Sequence, residues 1–367
     1  MRITGIRVWR IELPLKEGSY HWAGGKSVEV FDSTLVALDT DAGLCGFGEV
    51  CPLGPVYLPA YAEGVRGGIR ELGPHLLGLD PREHGRLWQA MDGRLKGHPF
   101  VKSGLDMAAW DLLGKATGLP VATLLGGIMQ KEVTLYRAIS QLPADEMAAN
   151  LRTHRESGYR RFQLKVGGDP DEDIARIRAC HAVLEPGDRL VADANTGWLP
   201  ADALRVVNAV RDLDVFIEQP CHSFEQCRAV RERTSLPFVL DESIDGLEPL
   251  LHAAGLRAMD MVNIKLSKLG GLTQARLLRD LCVRLGLLMI VEDSWGGDVA
   301  TAAIAHAAAS TPGRNLFAAT DFNGYVTRSF ADGAPRREGG VMRLPDGPGL
   351  GVTPRLDELG PPLFTIT

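Results

Sequence analysis

The chain has 367 residues, 45% hydrophobic and 23% charged, with a net charge of −6. That length calls for about two domains, and the acidic balance removes any electrostatic reason to expect nucleic acid or an anionic membrane surface as a partner. No run reaches the roughly 18 apolar residues of a membrane span, and Met1-Arg2-Ile3-Thr4 enters a strand pattern without signal-peptide features, so a cytoplasmic protein is expected. The six cysteines are scattered and form no CxxC pair, which argues against a zinc ribbon or a disulfide framework.

In chain order, 2–15, 33–40 and 44–50 read as an antiparallel meander with Asp41-Ala42-Gly43 as a turn. Helical patterns follow at 57–76, 81–95 and 101–118, the last with Leu105, Ala108, Ala109 and Leu112 on one face. Strands first and helices after is an α+β order, so 1–125 is expected to be a separate capping domain. Two of its loops, 18–26 with Trp22 and 51–57 with Tyr57, mix glycine, proline and aromatics in the manner of lids over a ligand.

From about Val133 short apolar runs alternate with amphipathic stretches. The strand candidates are 133–140, 161–167, 189–195, 216–220, 237–243, 261–267, 287–295 and 315–322, which makes eight. Eight strands with helices between them predict a TIM-type β/α barrel over 126–330, with an open doubly wound sheet as the alternative. No GxGxxG follows a first strand, so dinucleotide binding has little support. The Gly- and Pro-rich tail, 331–367, is expected to return to the capping domain.

Barrel chemistry is carried at the C-terminal ends of the strands. Asp193, Glu218 and Asp241 close three successive apolar runs, RLVAD, FIE and PFVLD, about 24 residues apart. A carboxylate ending a buried strand must be paired or metal-bound, or else it is stranded at high cost. Three all-oxygen ligands from separate strands suit Mg²⁺, which favours carboxylates and keeps positions for water or substrate. Lys165 and Lys265 end the second and sixth strands, on either side of the acids, and a lowered lysine pKa there would make a general base. If a substrate carboxylate binds the metal, the enediolate left by α-proton loss is stabilised where its charge develops. Both racemisation by two bases and elimination by a base and an acid are then open.

The DAN, EQP and DES strand ends, the two lysines and KLGG at 268–271 resemble the enolase superfamily, in its muconate lactonising enzyme-like group, over essentially the whole chain. Lysine bases beside Mg²⁺ are an established feature of that superfamily and not a deduction from these residues. The resemblance implies that Asp193, Glu218 and Asp241 hold Mg²⁺, that Lys165 and Lys265 are the acid/base pair, and that the protein is a homo-oligomer. The family's Lys-x-Lys of the second strand is Gln163-Leu164-Lys165 here, so Gln163 is expected to hold the substrate carboxylate. No histidine ends the seventh strand, where Asp293 stands, and this sets the chain apart from the mandelate racemase branch.

The Trp22 loop, the CPLGPVY loop with Tyr57 and the EDSWGGD segment with Asp293 and Trp295 are similar to the subgroup acting on proline derivatives. With Asn195 and Asp321 these residues form the expected substrate contacts. A quaternary ammonium is best held by aromatic faces, a secondary one by a carboxylate. Asp321 near the end of the eighth strand therefore favours a free amine, and dehydration of cis-3-hydroxy-L-proline to Δ¹-pyrroline-2-carboxylate is expected, with Lys165 as base. The competing readings are a 2-epimerase of proline betaine or a related amino acid, more distantly a dipeptide epimerase, and a non-catalytic metabolite-binding barrel.

Overall fold

The computed structural model describes residues 1–367. Strands Ile3–Pro14, Val30–Thr40 and Cys45–Val50 pair antiparallel as a meander, and Phe364–Ile366 joins the sheet beside the first of them. Helix Pro99–Thr117 packs against this sheet. Proline at its first turn and a left-handed Gly118 (φ 72°) at its end set the limits. It comes close because a Cβ on Gly48 would lie 2.0 Å from the Gly104 carbonyl oxygen, which leaves room only for glycine. The helix expected over 57–76 is shorter, Ala62–Leu72. Pro59 disfavours helical backbone at the residue before it, so Tyr57 is left in a loop.

Eight parallel strands form the second body: Tyr136–Ile139, Arg161–Lys165, Arg189–Asp193, Val215–Glu218, Phe238–Leu240, Met261–Lys265, Leu288–Glu292 and Leu316–Ala319. Each pairs with the next, and a parallel bridge between Leu135 and Ala319 brings the eighth back to the first. Helices fill all seven connections, whereas the eighth strand runs into a 3₁₀ turn, Phe322–Gly324. The architecture is therefore a barrel and not an open sheet.

Two elements depart from the sequence reading. The first strand, read as 133–140, is two strands: Glu132–Thr134 pairs with Val341–Arg343 of the tail, and only Tyr136–Ile139 enters the barrel. Periodicity cannot show where a chain changes sheet partners. The tail likewise first packs below the barrel through Val341–Arg343 and reaches the capping sheet only at Phe364–Ile366.

The capping sheet and the barrel share one apolar cluster, which runs from Trp9, Ile11 and Leu35 to Val299 and Phe330. At its centre Glu49, fully buried, accepts from the backbone N–H groups of Gly297, Val299 and Ala300 and from Ser33 Oγ. A carboxylate at a helix N-terminus satisfies orphan donors and the helix dipole together. This fixes the capping domain on the helix that follows the seventh strand.

Candidate active site

Strand register decides which side chains meet. Lys165 pairs with Asp193 and Asp193 with Glu218 in adjacent parallel strands, and on the far side Lys265 pairs with Glu292. Alternation then puts Gln163 on the face of Lys165, and Asn263 on the face of Lys265. The backbone just beyond two of the acids is strained: Asn195 (φ 42°), Thr196 (φ 68°) and Gln219 (φ 35°) are left-handed without being glycine. Gln219 is anchored in that state by its side chain, which donates to Ser243 Oγ at 2.6 Å and accepts from the Asp241 N–H at 3.0 Å.

Asp193, Glu218 and Asp241 are each at most 1% exposed. Lys165 Nζ donates to Asp193 at 2.5 Å, and Lys265 Nζ to Asp241 at 2.6 Å. Lys268 Nζ reaches the other Asp241 oxygen at 2.7 Å. Gln163 and Asn263 amides occupy the two oxygens of Glu218 at 2.9 and 2.6 Å.

The charges follow from these contacts. Burial pushes the Glu218 carboxyl well above its ordinary range, and the like charges of Asp193 and Asp241 push it further. Burial would also raise Asp241, but Lys265 and Lys268 reverse this and hold it low. Glu242, beside Asp241, is raised to about 8 by burial and by Asp241 and Asp193. The two lysines run opposite to the expected lowering. Burial works against the Lys165 charge, but Asp193, Tyr20 and Glu218 more than reverse it, and Lys265 is raised in the same way by Asp241 and Glu292.

Could these residues hold a hard cation? No three acidic, histidine or cysteine side chains converge as a ready-made metal cage, since lysines and amides hold the carboxylates apart. The donor chemistry nonetheless fits. All three acids are oxygen donors on adjacent strand ends, their mutual repulsion calls for positive charge, and two buried oxygens beside them, Asn195 Oδ1 and Glu242 Oε2, have no partner.

The cavity in front of this row is lined by Gln163, Lys165, Asn195, Lys265, Glu292 and Asp293 from the barrel. Both capping loops close over it. The short hairpin Tyr20–Trp22/Lys26–Val28 brings Tyr20 and Trp22, and the 51–57 loop brings Leu53 and Tyr57. The Tyr57 hydroxyl donates to Asp241 at 2.8 Å and accepts from Lys265. Trp295 stacks between Phe31 of the capping sheet at 4.1 Å and Phe322 at 4.8 Å, and forms an aromatic wall with Tyr20.

Of the expected substrate contacts, Gln163, Trp22, Tyr57, Asn195, Asp293 and Trp295 line one cavity, and Asp321 does not. Asp321 is turned out of the barrel, where it accepts from Tyr159 Oη at 3.2 Å and faces Arg337 at 3.8 Å. The eighth strand, expected over 315–322, ends at Ala319, so Asp321 lies beyond it and is not a strand-end residue. Gln163, expected on the substrate carboxylate, lines the cavity and gives one of its two amide N–H groups to Glu218. The sequence reading places Glu292 and Asn263 at strand ends but gives them no role, and it does not single out Tyr136 or Phe322. Glu292 is legible as the last residue of the seventh strand, but a strand extended to Trp295 puts the weight on Asp293 instead.

A closed parallel barrel, a second domain folded over its mouth and a charged cavity between them define a β/α-barrel enzyme with a capping domain. The mandelate racemase/muconate lactonizing enzyme N-terminal domain matches residues 22–126, and the enolase C-terminal domain-like family matches residues 146–359. The chain belongs to the mandelate racemase/muconate lactonizing enzyme group of the enolase superfamily. It is 55% identical to a cis-3-hydroxy-L-proline dehydratase of Roseibium aggregatum, over 99% of both chains. A mandelate racemase/muconate lactonizing enzyme from Roseovarius nubinhibens superposes with a TM-score of 0.96 at 44% identity, covering 100% of this chain and 98% of that one. A second such protein from that organism, complexed with magnesium, gives a TM-score of 0.96 at 36% identity with both chains covered in full.

Proposed function

We propose that the protein is a Mg²⁺-dependent hydro-lyase that converts cis-3-hydroxy-L-proline to Δ¹-pyrroline-2-carboxylate. The observation that carries this reading is the pair of buried ammonium groups, Lys165 and Lys265, on opposite sides of one small cavity. In cis-3-hydroxyproline the hydroxyl and the carboxylate share a ring face, so the C2 hydrogen lies on the other face. Loss of water is then an anti elimination and needs a base and an acid on opposite sides of the ring. The relative from Roseibium aggregatum supports the same substrate.

In this reading Asp193, Glu218 and Asp241 would hold magnesium, whose positive charge would stabilise the enediolate and offset the acids that raise the lysine pKa values. Lys165 takes the C2 proton. Lys265 gives a proton to the 3-hydroxyl as the C3–O bond breaks, and the enamine tautomerises to the cyclic imine. Tyr57, bonded to Lys265 and Asp241, holds that ammonium in place. Tyr20, Trp22, Trp295 and Phe322 exclude water from the reacting carbon.

The test is incubation of the magnesium-loaded protein with the 3-hydroxyproline isomers and o-aminobenzaldehyde. The cis-L isomer should give the imine adduct and the trans-L isomer, whose hydrogen and hydroxyl share a face, should not. Equal rates on both isomers, or no adduct from either, would remove the assignment.

A further inference from the structure

A free cyclic amino acid carries a ring ammonium as well as a carboxylate, and a buried pocket must offer that charge a partner. Three acids near the cavity come into question: Asp321, Asp293 and Glu292. Asp321 points away from it, towards Tyr159 and Arg337. Asp293 lines the cavity, but both of its oxygens are already engaged by the backbone and hydroxyl of Ser267 and by the Ser294 N–H. Its Oδ1 takes the N–H groups of Ser267 at 3.1 Å and Ser294 at 2.7 Å, and its Oδ2 takes the Ser267 N–H at 3.1 Å and hydroxyl at 2.8 Å. A carboxylate offers about four acceptor positions; three donors, with the Ser267 N–H shared between both oxygens, hold Asp293 against Ser267 and Ser294.

Glu292 differs. Its residue is 2% exposed and lines the same cavity. One oxygen accepts from Tyr136 Oη and the other from Asn263 Nδ2 at 3.0 Å. Lys265 Nζ stands 3.5 Å away and has its closer partner in Asp241 at 2.6 Å. The two clamps fix the carboxylate and leave each oxygen an open acceptor position, in a cavity whose aromatic wall includes Tyr20, Trp295 and Phe322.

We propose that Glu292 determines specificity in this pocket by accepting hydrogen bonds from the ring N–H₂⁺ of the substrate. The proposal rests on the function above only in taking the substrate to be a cyclic amino acid with a free secondary amine. It transfers to Glu292 the role that the sequence suggested for Asp321.

The experiment is calorimetric binding to the magnesium-loaded protein of two ligands, L-proline and (S)-tetrahydrofuran-2-carboxylate, in which a ring oxygen replaces the N–H₂⁺. The wild-type protein should prefer L-proline by about tenfold to a hundredfold, the worth of one or two charge-assisted hydrogen bonds. Glu292→Gln, which keeps shape and removes charge, should abolish that preference while the oxygen analogue changes by less than about twofold, as expected when only the charged contact is lost. Glu292→Asp should keep the preference in sign. A wild-type protein that binds the two ligands alike, or binds neither, overturns the proposal even if the variants fail to fold. So does a glutamine variant that loses both ligands equally. Selective loss of proline in a protein that does not dehydrate cis-3-hydroxy-L-proline would uphold the ammonium site and remove the reaction. Dehydration without any ammonium preference would do the reverse.

Discussion

Buried carboxylates stand in two parts of this molecule under opposite conditions. At the seam between the domains, Glu49 accepts from three backbone N–H groups at the start of one barrel helix. Asp106 accepts from the Thr273 N–H and hydroxyl at the start of another. Asp298 takes the N–H groups of Phe330 and Ala331 with the Ser329 hydroxyl. Glu49 and Asp298 stand near each other, but each is held by several backbone N–H donors and neither leans on a lysine. In the barrel mouth, Asp193, Glu218 and Asp241 crowd one another and lean on lysines, while Glu242 Oε2 has no partner at all. The same residue types are at rest in one place and under electrostatic stress in the other. Burial alone does not mark a functional acid; unspent acceptor capacity and like-charged neighbours do.

The sharpest way to break this contrast is to remove a lysine from the mouth. Lys165→Ala and Lys265→Ala should each lower turnover of cis-3-hydroxy-L-proline by about 10³-fold or more, in line with the loss of a positioned acid or base. Magnesium binding, followed by calorimetry, should survive in both. Full activity in either variant would end the two-lysine account.

The converse change at the seam should cost stability and spare the chemistry. Glu49→Ala strands three buried N–H groups, and a loss of about 3 kcal/mol in unfolding free energy is expected from urea titration. Activity of the molecules that remain folded should be retained. A loss of catalysis at unchanged stability would place Glu49 with the mouth acids.

A third region gives a pH-dependent version of the same test. His306, on the helix capped by Glu49, is fully buried, and its Nδ1 accepts from the Ala122 N–H. Burial lowers its pKa from 6.5 to about 4. The folded state binds this proton less readily than the unfolded chain, so stability is full above about pH 6.5 and falls as pH drops towards 4. The loss should approach about 3 kcal/mol. Urea titrations at pH 7, 5.5 and 4.5 should show it, and His306→Gln should flatten the part of the slope that belongs to this group.

The smallest effect is expected at Asp321. Because it faces Tyr159 and Arg337 and not the cavity, Asp321→Asn should leave kcat/KM within about threefold, the scale of a buried change remote from the chemistry. A hundredfold loss would return it to the substrate.

Much of this is legible in the sequence. The capping meander and the barrel follow from periodicity, and the strand-end acids and lysines stand out because a charge closing a buried run needs a counter-charge, a metal or a substrate beside it. Loop composition marks Trp22 and Tyr57, the strand end marks Asn195 and the family resemblance marks Trp295, and all four line the cavity. Parity at strand ends is what the sequence does not carry. Glu292 and Asp293 are neighbours with opposite environments, and a strand one residue shorter exchanges their roles. Asp321 fails because its strand ends at Ala319, two residues before it. Nor can the sequence show the amide of Gln163 bonded to Glu218, since that contact depends on register between strands and not on spacing along the chain.

The central claim is that two lysines on opposite faces of the pocket carry out an anti elimination and not an inversion at C2. Proton NMR of cis-3-hydroxy-L-proline with the magnesium-loaded protein in D₂O tests it most directly. The account predicts disappearance of the substrate with accumulation of Δ¹-pyrroline-2-carboxylate and no C2 epimer. Substrate that gains α-deuterium, accumulates as its C2 epimer and yields no imine would contradict it.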